Sequence, residues 1–300
     1  MLNKKHLGMM AGTLLGMMLL GGCMKGETEN VEKESNAYVS VQDYTGQGYR
    51  LPNGDKNDKI AEANKDEVVQ SMEEFFLNNY QTKVKVHNII GNKDGATVYV
   101  ESLGAVKFST FAIIPIDNQG KLRPEGIWTE PGQVEYAIQS GIYAMVYEDQ
   151  LATLDAYLTK FAGEHPVVGL TDEALKKTFA GGFSTPYYYI TMPGESFDAL
   201  SKQYLEKPET TKEEYQAAVK SLKRDPEEYN VVIRLFMKEK NQKPDKQIFD
   251  QLVSDIEAME NLPLGAYSIF LHDNEILKGD GQNSKDNTLA QDFPNEIYKK

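Results

Sequence analysis

Hydrophobic positions along this 300-residue chain fall into three regimes, each predicting a different element. Residues Leu7 to Leu20 form an apolar run of Leu, Met, Ala and Gly with Thr13 inside it. As a helix it would span about 21 Å, short of the roughly 30 Å hydrocarbon core of a bilayer. From about Asp58 to Tyr80 the pattern turns helical, with Ile60, Asn64, Val68, Met72, Phe75, Phe76 and Tyr80 at helical spacing. Near Lys83 the period changes to two. Val84, Val86, Asn88 and Ile90 then alternate with Lys83, Lys85, His87 and Ile89. A turn over residues 91–95 returns the chain as a second strand from Ala96 to Leu103. A third strand is predicted over Lys107 to Ile114, apolar on both faces and therefore covered on both. Pro115 suits its end. One helix followed by three consecutive strands predicts an antiparallel meander with a helix across it.

Beyond a Gly- and Pro-rich loop at 117–132, helical periodicity resumes over 133–147 and 150–162. Thr171 reads as an N-cap, with Asp172 and Glu173 in the first turn and a stop expected at Gly181-Gly182. Residues 185–191 are β-prone and 195–207 helical. Thr211 with Glu214 forms a capping-box pattern. A strand is predicted at 229–237, a helix opening at Pro244, and a last strand at 265–271. The polar tail, 279–300, reads as irregular. The fold class expected is α+β, an N-terminal helix on an antiparallel meander with a helix-rich C-terminal half carrying further strands. The divisions are a signal at 1–22, a lipidated N-terminus and disordered tether at 23–38, α+β parts at 39–130 and 131–278 that can form one domain, and the tail.

The start of the chain changes the picture most. Lys4, Lys5 and His6 precede the apolar run, and Leu20-Gly21-Gly22-Cys23 follows it. Basic start, short apolar core and small residues before a cysteine make a bacterial lipoprotein signal, with Cys23 the lipidated residue. Two or three acyl chains, at about 0.8 kcal/mol per buried CH₂, hold a protein stably to a membrane. The expected address is the extracytoplasmic face of the cell membrane. The polar stretch after Cys23 has a coil reach of about 20 Å.

Charge and cysteine usage exclude whole classes. Asp and Glu total 45 against 32 Lys and Arg, a net charge of −13 that becomes more negative once Lys4 and Lys5 leave with the signal. Nucleic acid is not an expected partner, because phosphate contacts need clustered cations. Cys23 is the single cysteine, so no intrachain disulfide is possible, and with Cys23 spent on lipid no thiol is expected to remain for nucleophilic catalysis or a thiolate metal site.

The segments VQDYTGQGY, VKVHNIIGNKDGATVYVES, QSGIYAMVY, GGFSTPYYYIT and PDKQIFDQLVSDIE resemble a Gram-positive membrane lipoprotein family of unknown function (domain-of-unknown-function family 1672). The resemblance spans most of the chain after the tether. It implies membrane lipoproteins of bacilli and staphylococci, and it implies no activity, cofactor or catalytic residue.

Candidate chemistry is sparse. No phosphate-binding glycine loop, His-Glu-x-x-His or Gly-x-Ser-x-Gly pattern occurs. His87 is expected on a polar strand face, His165 at a helix end, and His272 in a loop at a strand end. Asp55 to Asp58 and Asp280 to Asp286 place oxygens at short spacing, but neither matches an EF-hand, and turns and caps use the same residues. Among carboxylates such as Glu101, Asp117 and Asp155, spacing singles out no acid–base pair. The aromatics are the remaining signal. Tyr187, Tyr188 and Tyr189 alternate faces on a strand, and with Trp128 they would line a groove for an envelope glycan, peptide or protein. The competing reading packs them in the core with hydroxyls bonded at its edge. No cofactor or metal is expected. The function expected is a membrane-anchored binding protein of the envelope. The alternative is a surface hydrolase of wall or peptide material whose residues converge only in the fold.

Overall fold

The computed structural model describes residues 37–222, 225–281 and 285–300. The signal, Cys23 and the tether up to residue 36 lie outside them. The chain starts with strand β1 (Tyr38–Ser40) and reaches two helices, α1 (Asp55–Ala63) and α2 (Lys65–Tyr80). A single helix was expected there. The break falls at Asn64, whose side-chain amide donates to the Ile60 carbonyl at 2.7 Å. Its helical spacing in the sequence conceals this competition with the backbone ladder. Val68, Met72 and Phe76 of α2 are fully buried, one stripe at i, i+4, i+8.

That stripe belongs to the same core as an antiparallel meander, β2 (Val84–Gly91), β3 (Gly95–Ser102) and β4 (Ser109–Pro115), in spatial order β2-β3-β4. The β2–β3 turn closes because the Asn92 side-chain oxygen accepts from the amides of Asp94 and Gly95, both at 2.8 Å. The turn also abuts the start of α1. A Cβ on Gly54 would lie 1.9 Å from the Gly91 carbonyl oxygen. The Asp58 carboxylate accepts from the Gly91 amide, and Asn57 donates to the Asn92 carbonyl. Two side chains of a stretch that spacing alone made a conceivable cation site, Asn57 and Asp58, are thus engaged with backbone.

Helices α3 (Gln133–Val146) and α4 (Glu148–Glu164) follow, then β5 (Val167–Val168) and α5 (Asp172–Thr178). Thr171 caps α5 as expected, accepting from the Ala174 amide at 3.1 Å. The helix ends before Gly181. Next come β6 (Tyr188–Thr191), α6 (Asp198–Glu206) and α7 (Lys212–Val219), the last opened by the complete Thr211–Glu214 capping box. Strand β7 (Asn230–Met237), α8 (Lys246–Ala258) and β8 (Gly265–His272) make a parallel pair with a helical crossover. The final elements are β9 (Glu275–Leu277), β10 (Leu289–Gln291) and β11 (Ile297–Lys299).

The tail is thus not irregular. Strands β10 and β11 both pair antiparallel with β8 at the edge of a six-stranded sheet. Each has three residues and is held by main-chain bonds, so it needs no apolar period, and a polar sequence suits an edge. Strand β6 and strand β5 pair with β7 on the other side. The fold is α+β.

Residues Ala37–Lys300 form one compact unit. One core cluster joins α2 and the meander to α3, α4 and the inner face of the six-stranded sheet. A smaller cluster around Val41, Tyr44, Leu175, Phe236 and Ile276 covers part of the other face. A unit with a continuous core of its own folds independently. Among the described residues no helix is long and apolar enough to cross a membrane.

Candidate functional site

Two glycines bring the meander and the C-terminal sheet onto α3. A Cβ on Gly141 would come 2.6 Å from the Lys107 carbonyl oxygen, so only glycine lets the β3–β4 turn settle on the helix there. Gly182, at φ +105°, sits against Ser140, where a Cβ would approach to 2.7 Å. The Ser140 hydroxyl then ties down the strand beyond. It accepts from the Phe183 amide and donates to the Ile190 carbonyl, both at 2.9 Å. Thr185 Oγ1 accepts from the amides of Tyr187 and Tyr188 at 3.2 Å, closing the turn into β6.

Between these pieces lies a cavity of about 480 Å³. The β3–β4 turn contributes Ala105 and Lys107, and α3 contributes Gly141, Ala144 and Met145. Helix α4 adds Glu148, Leu151, Ala152 and Asp155, and Phe183, Tyr188 and Lys212 complete the wall. The volume is in the small-molecule range, and the lining is mostly apolar with few polar groups.

Two of those polar groups are unusual. Tyr188 is 1% exposed and its hydroxyl makes no hydrogen bond within the protein. Buried polar groups are nearly always bonded, and an orphan costs about 1–3 kcal/mol. The nearest approach to a bond is towards the Asp155 carboxylate, which the hydroxyl engages weakly, short of full hydrogen-bond geometry. Burial pushes the Asp155 carboxyl above the usual carboxylate range, and the Tyr188 hydroxyl offsets part of that rise. Burial, then the Asp155 charge, pushes the Tyr188 hydroxyl up in turn. Among the described residues no cation lies within ion-pair distance of Asp155.

The rim is different. Lys212 donates to Glu148 at 2.8 Å, with Asp149 at 3.7 Å, and the Glu148 bond holds its ammonium above the ordinary lysine range. Lys107 is exposed, and its ammonium makes one long bond, 3.4 Å, to the Leu103 carbonyl. Lys107 and Phe183 also wall a second cavity of about 300 Å³ that contains Glu101, Asp172 and Lys176.

The four aromatics singled out in the sequence separate. Tyr188 lines the larger cavity from the core face of β6. Tyr189 is half-buried on the opposite face, and Tyr187, just before the strand, is half-buried against the main core. Tyr189 lies 5.4 Å from the Phe179 ring and beneath the Arg234 guanidinium, at 5.6 Å. Trp128 is 37% exposed on its loop, pinned through its backbone to Ile113. The larger cavity takes Tyr188 alone of the four.

Of the histidines, His87 and His272 depart from expectation, while His165 is at a helix end as expected. His87 occupies an irregularity in β2 and its ring meets Glu101 Oε2 at 2.9 Å, leaving the side chain only 12% exposed. His165 sits at the end of α4, stacked on Phe161 at 4.3 Å. His272 is no loop residue. It is 3% exposed at the end of β8, between Phe236 and Phe270, with Nδ1 3.0 Å from Thr288 Oγ1. Among the described residues no group of three or more His, Cys, Asp or Glu could hold a metal ion.

Asp155 and Gly141 were not distinguishable as site residues in the sequence. The one available signal was an acid at 155 beside the apolar stripe Leu151, Leu154 and Leu158 of α4.

Comparison with known proteins adds a family and a fold. The profile described as "Protein of unknown function (DUF1672)" matches residues 31–299. A crystal structure of a DUF1672 family protein from Staphylococcus aureus subsp. aureus Mu50 superposes with a TM-score of 0.73 at 21% identity, covering 88% of this chain and 98% of that one. No curated protein matches in sequence.

Proposed function

Since the chain belongs to the DUF1672 family, whose description names no activity, we propose from its own residues that it is a lipid-anchored extracytoplasmic protein that works by binding a small ligand. The observation that carries the binding reading is the cavity over Tyr188 and Asp155. Tyr188, whose buried hydroxyl has no hydrogen bond of full geometry, and Asp155, whose carboxyl has no counter-ion, line the same mostly apolar space. An arrangement tuned only for stability would pair or remove both.

Turnover is less well supported. Glu148 and Asp155 share the cavity, but they are seven positions apart on one helix, about 10.5 Å along its axis. Paired-carboxylate hydrolysis works at separations of about 5–9.5 Å. Glu148 is also engaged by Lys212 at the exposed rim.

Anchorage rests on the Leu20–Cys23 motif. The C23S variant is expected to lose incorporation of a fatty-acid analogue in cells, and continued labelling would contradict the anchor. Binding is tested on residues 37–300 with alanine-methyl labelling and a library of small amphiphiles. Saturable shifts are expected to concentrate on Ala105, Ala144 and Ala152, which line the cavity. Shifts confined to methyls elsewhere would place the site somewhere else.

A further inference from the structure

We propose that the cavity takes a primary ammonium on a short apolar stem, the ammonium seated between the Asp155 carboxylate and the Tyr188 hydroxyl oxygen. This rests on the binding reading of the same cavity and adds the chemical class of the ligand.

The argument starts from what the site lacks. Asp155 lines an apolar wall, and no Lys, Arg or His among the described residues pairs with it. Burial there disfavours its charged form. A cation supplied from outside restores the balance. An anion would be repelled by the same carboxylate, and a neutral hydroxyl would leave its charge uncompensated.

The hydrogen-bond inventory selects among cations. Tyr188 offers an oxygen that accepts from nothing in the protein, while its proton has only the weak interaction with the Asp155 carboxylate. An –NH₃⁺ group brings three donors and no acceptor. Two can go to the Asp155 oxygens and one to the Tyr188 oxygen, which leaves the tyrosine proton directed to the carboxylate. A quaternary ammonium has no N–H to donate. A guanidinium carries five donors in a wide planar fork, and those beyond a bidentate pair to Asp155 and one bond to Tyr188 would face the apolar wall.

The remaining wall describes the stem. Ala144, Met145, Leu151, Ala152 and Phe183 present hydrocarbon, thioether and ring surface. Methionine adapts to chains of differing shape. Lys107 at the rim is solvent-exposed, where screening weakens its repulsion of an incoming cation. Lys212 is already neutralised by Glu148.

The test is a methyl-shift titration of residues 37–300 at pH 7 with three probes of one stem length, hexylammonium, hexanol and hexanoate. Hexylammonium is expected to saturate the Ala144 and Ala152 shifts at least tenfold more tightly than hexanol, with hexanoate weaker still. In D155N, a near-isosteric change that keeps the fold, that preference should fall at least tenfold. In Y188F it should fall several-fold. Hexanol or hexanoate binding the wild type as tightly as hexylammonium, or D155N leaving the preference intact, would overturn the ammonium assignment while the cavity reading stands. Absence of any shift at these methyls with all three probes would overturn both.

Discussion

Acidification from pH 6.5 to about 3 is expected to remove roughly 4–5 kcal/mol of stability through one residue, His272. Burial holds its imidazole far below the ordinary value, at about 3, and the nearby charges of Arg234 and Lys285 add to the depression while Asp273 opposes it. The ring is 3% exposed and stacked between Phe236 and Phe270, so solvent screening offers little relief. In the unfolded chain the same imidazole titrates near 6.5. Between the two values the unfolded state binds a proton that the folded state refuses. Stability is therefore whole above about pH 6.5 and falls by about 1.4 kcal/mol per unit as pH drops towards 3.

Other groups modify the limb without reversing it. Hydrogen bonds from Asn287 and Lys285 outweigh burial and hold the Asp273 carboxyl below the usual range, so it adds a further loss at the acid end. Asp155 acts in the opposite sense. Its raised carboxyl is a cost above its folded pKa that protonation relieves. Denaturant unfolding at a series of pH values between 7 and 3.5 measures the slope. His272→Phe keeps an aromatic ring between Phe236 and Phe270, and its stability should vary far less over this range. An equal slope in both proteins would show that another group carries the acid limb.

Local chemistry was legible in the sequence where one residue type meets one backbone need. The Thr171 cap and the Thr211–Glu214 box are of this kind, since each is satisfied within three residues. The meander was legible because the change from helical to alternating period near Lys83 marks a real change of element. Asn64 misled because periodicity counts position and ignores what a side-chain amide does to its own helix. Strands β10 and β11 were invisible for a different reason: three-residue edge strands are held by main-chain bonds to β8, which no side-chain pattern records. The burial of His272 followed from that miss, since Thr288 reaches it only because the tail returns to the sheet.

The candidate site was half legible. Alternation separated Tyr188 from Tyr189, which lie on opposite faces of β6, while Tyr187 precedes the strand and packs against the main core. It could not say that the inward ring would have an unpartnered hydroxyl. Nor could it mark Asp155, whose significance comes from a tyrosine 33 positions later on another element.

A second large effect is expected at that tyrosine, and it has the opposite sign to most core substitutions. Removing the hydroxyl takes away a buried group that engages Asp155 only weakly and bonds to nothing else in the protein, while the ring keeps its contact with Phe183. Tyr188→Phe should therefore gain up to about 1 kcal/mol in the unliganded protein. For a unit of this size that is a rise of about 2–4 °C in Tm. The same change should weaken hexylammonium binding, because an acceptor of the ammonium is gone. Stability lost for binding is the signature of a site, whereas a hydroxyl that served only packing would be missed on removal.

The central claim is that the Tyr188 hydroxyl is held beside the cavity without a full hydrogen bond, kept for a ligand. The most direct measurement is the unfolding free energy of Y188F against wild type at pH 7 without ligand. The account predicts a variant at least as stable as the wild type. A loss of about 1 kcal/mol or more would mean that the hydroxyl is already bonded in the resting protein, and would contradict it.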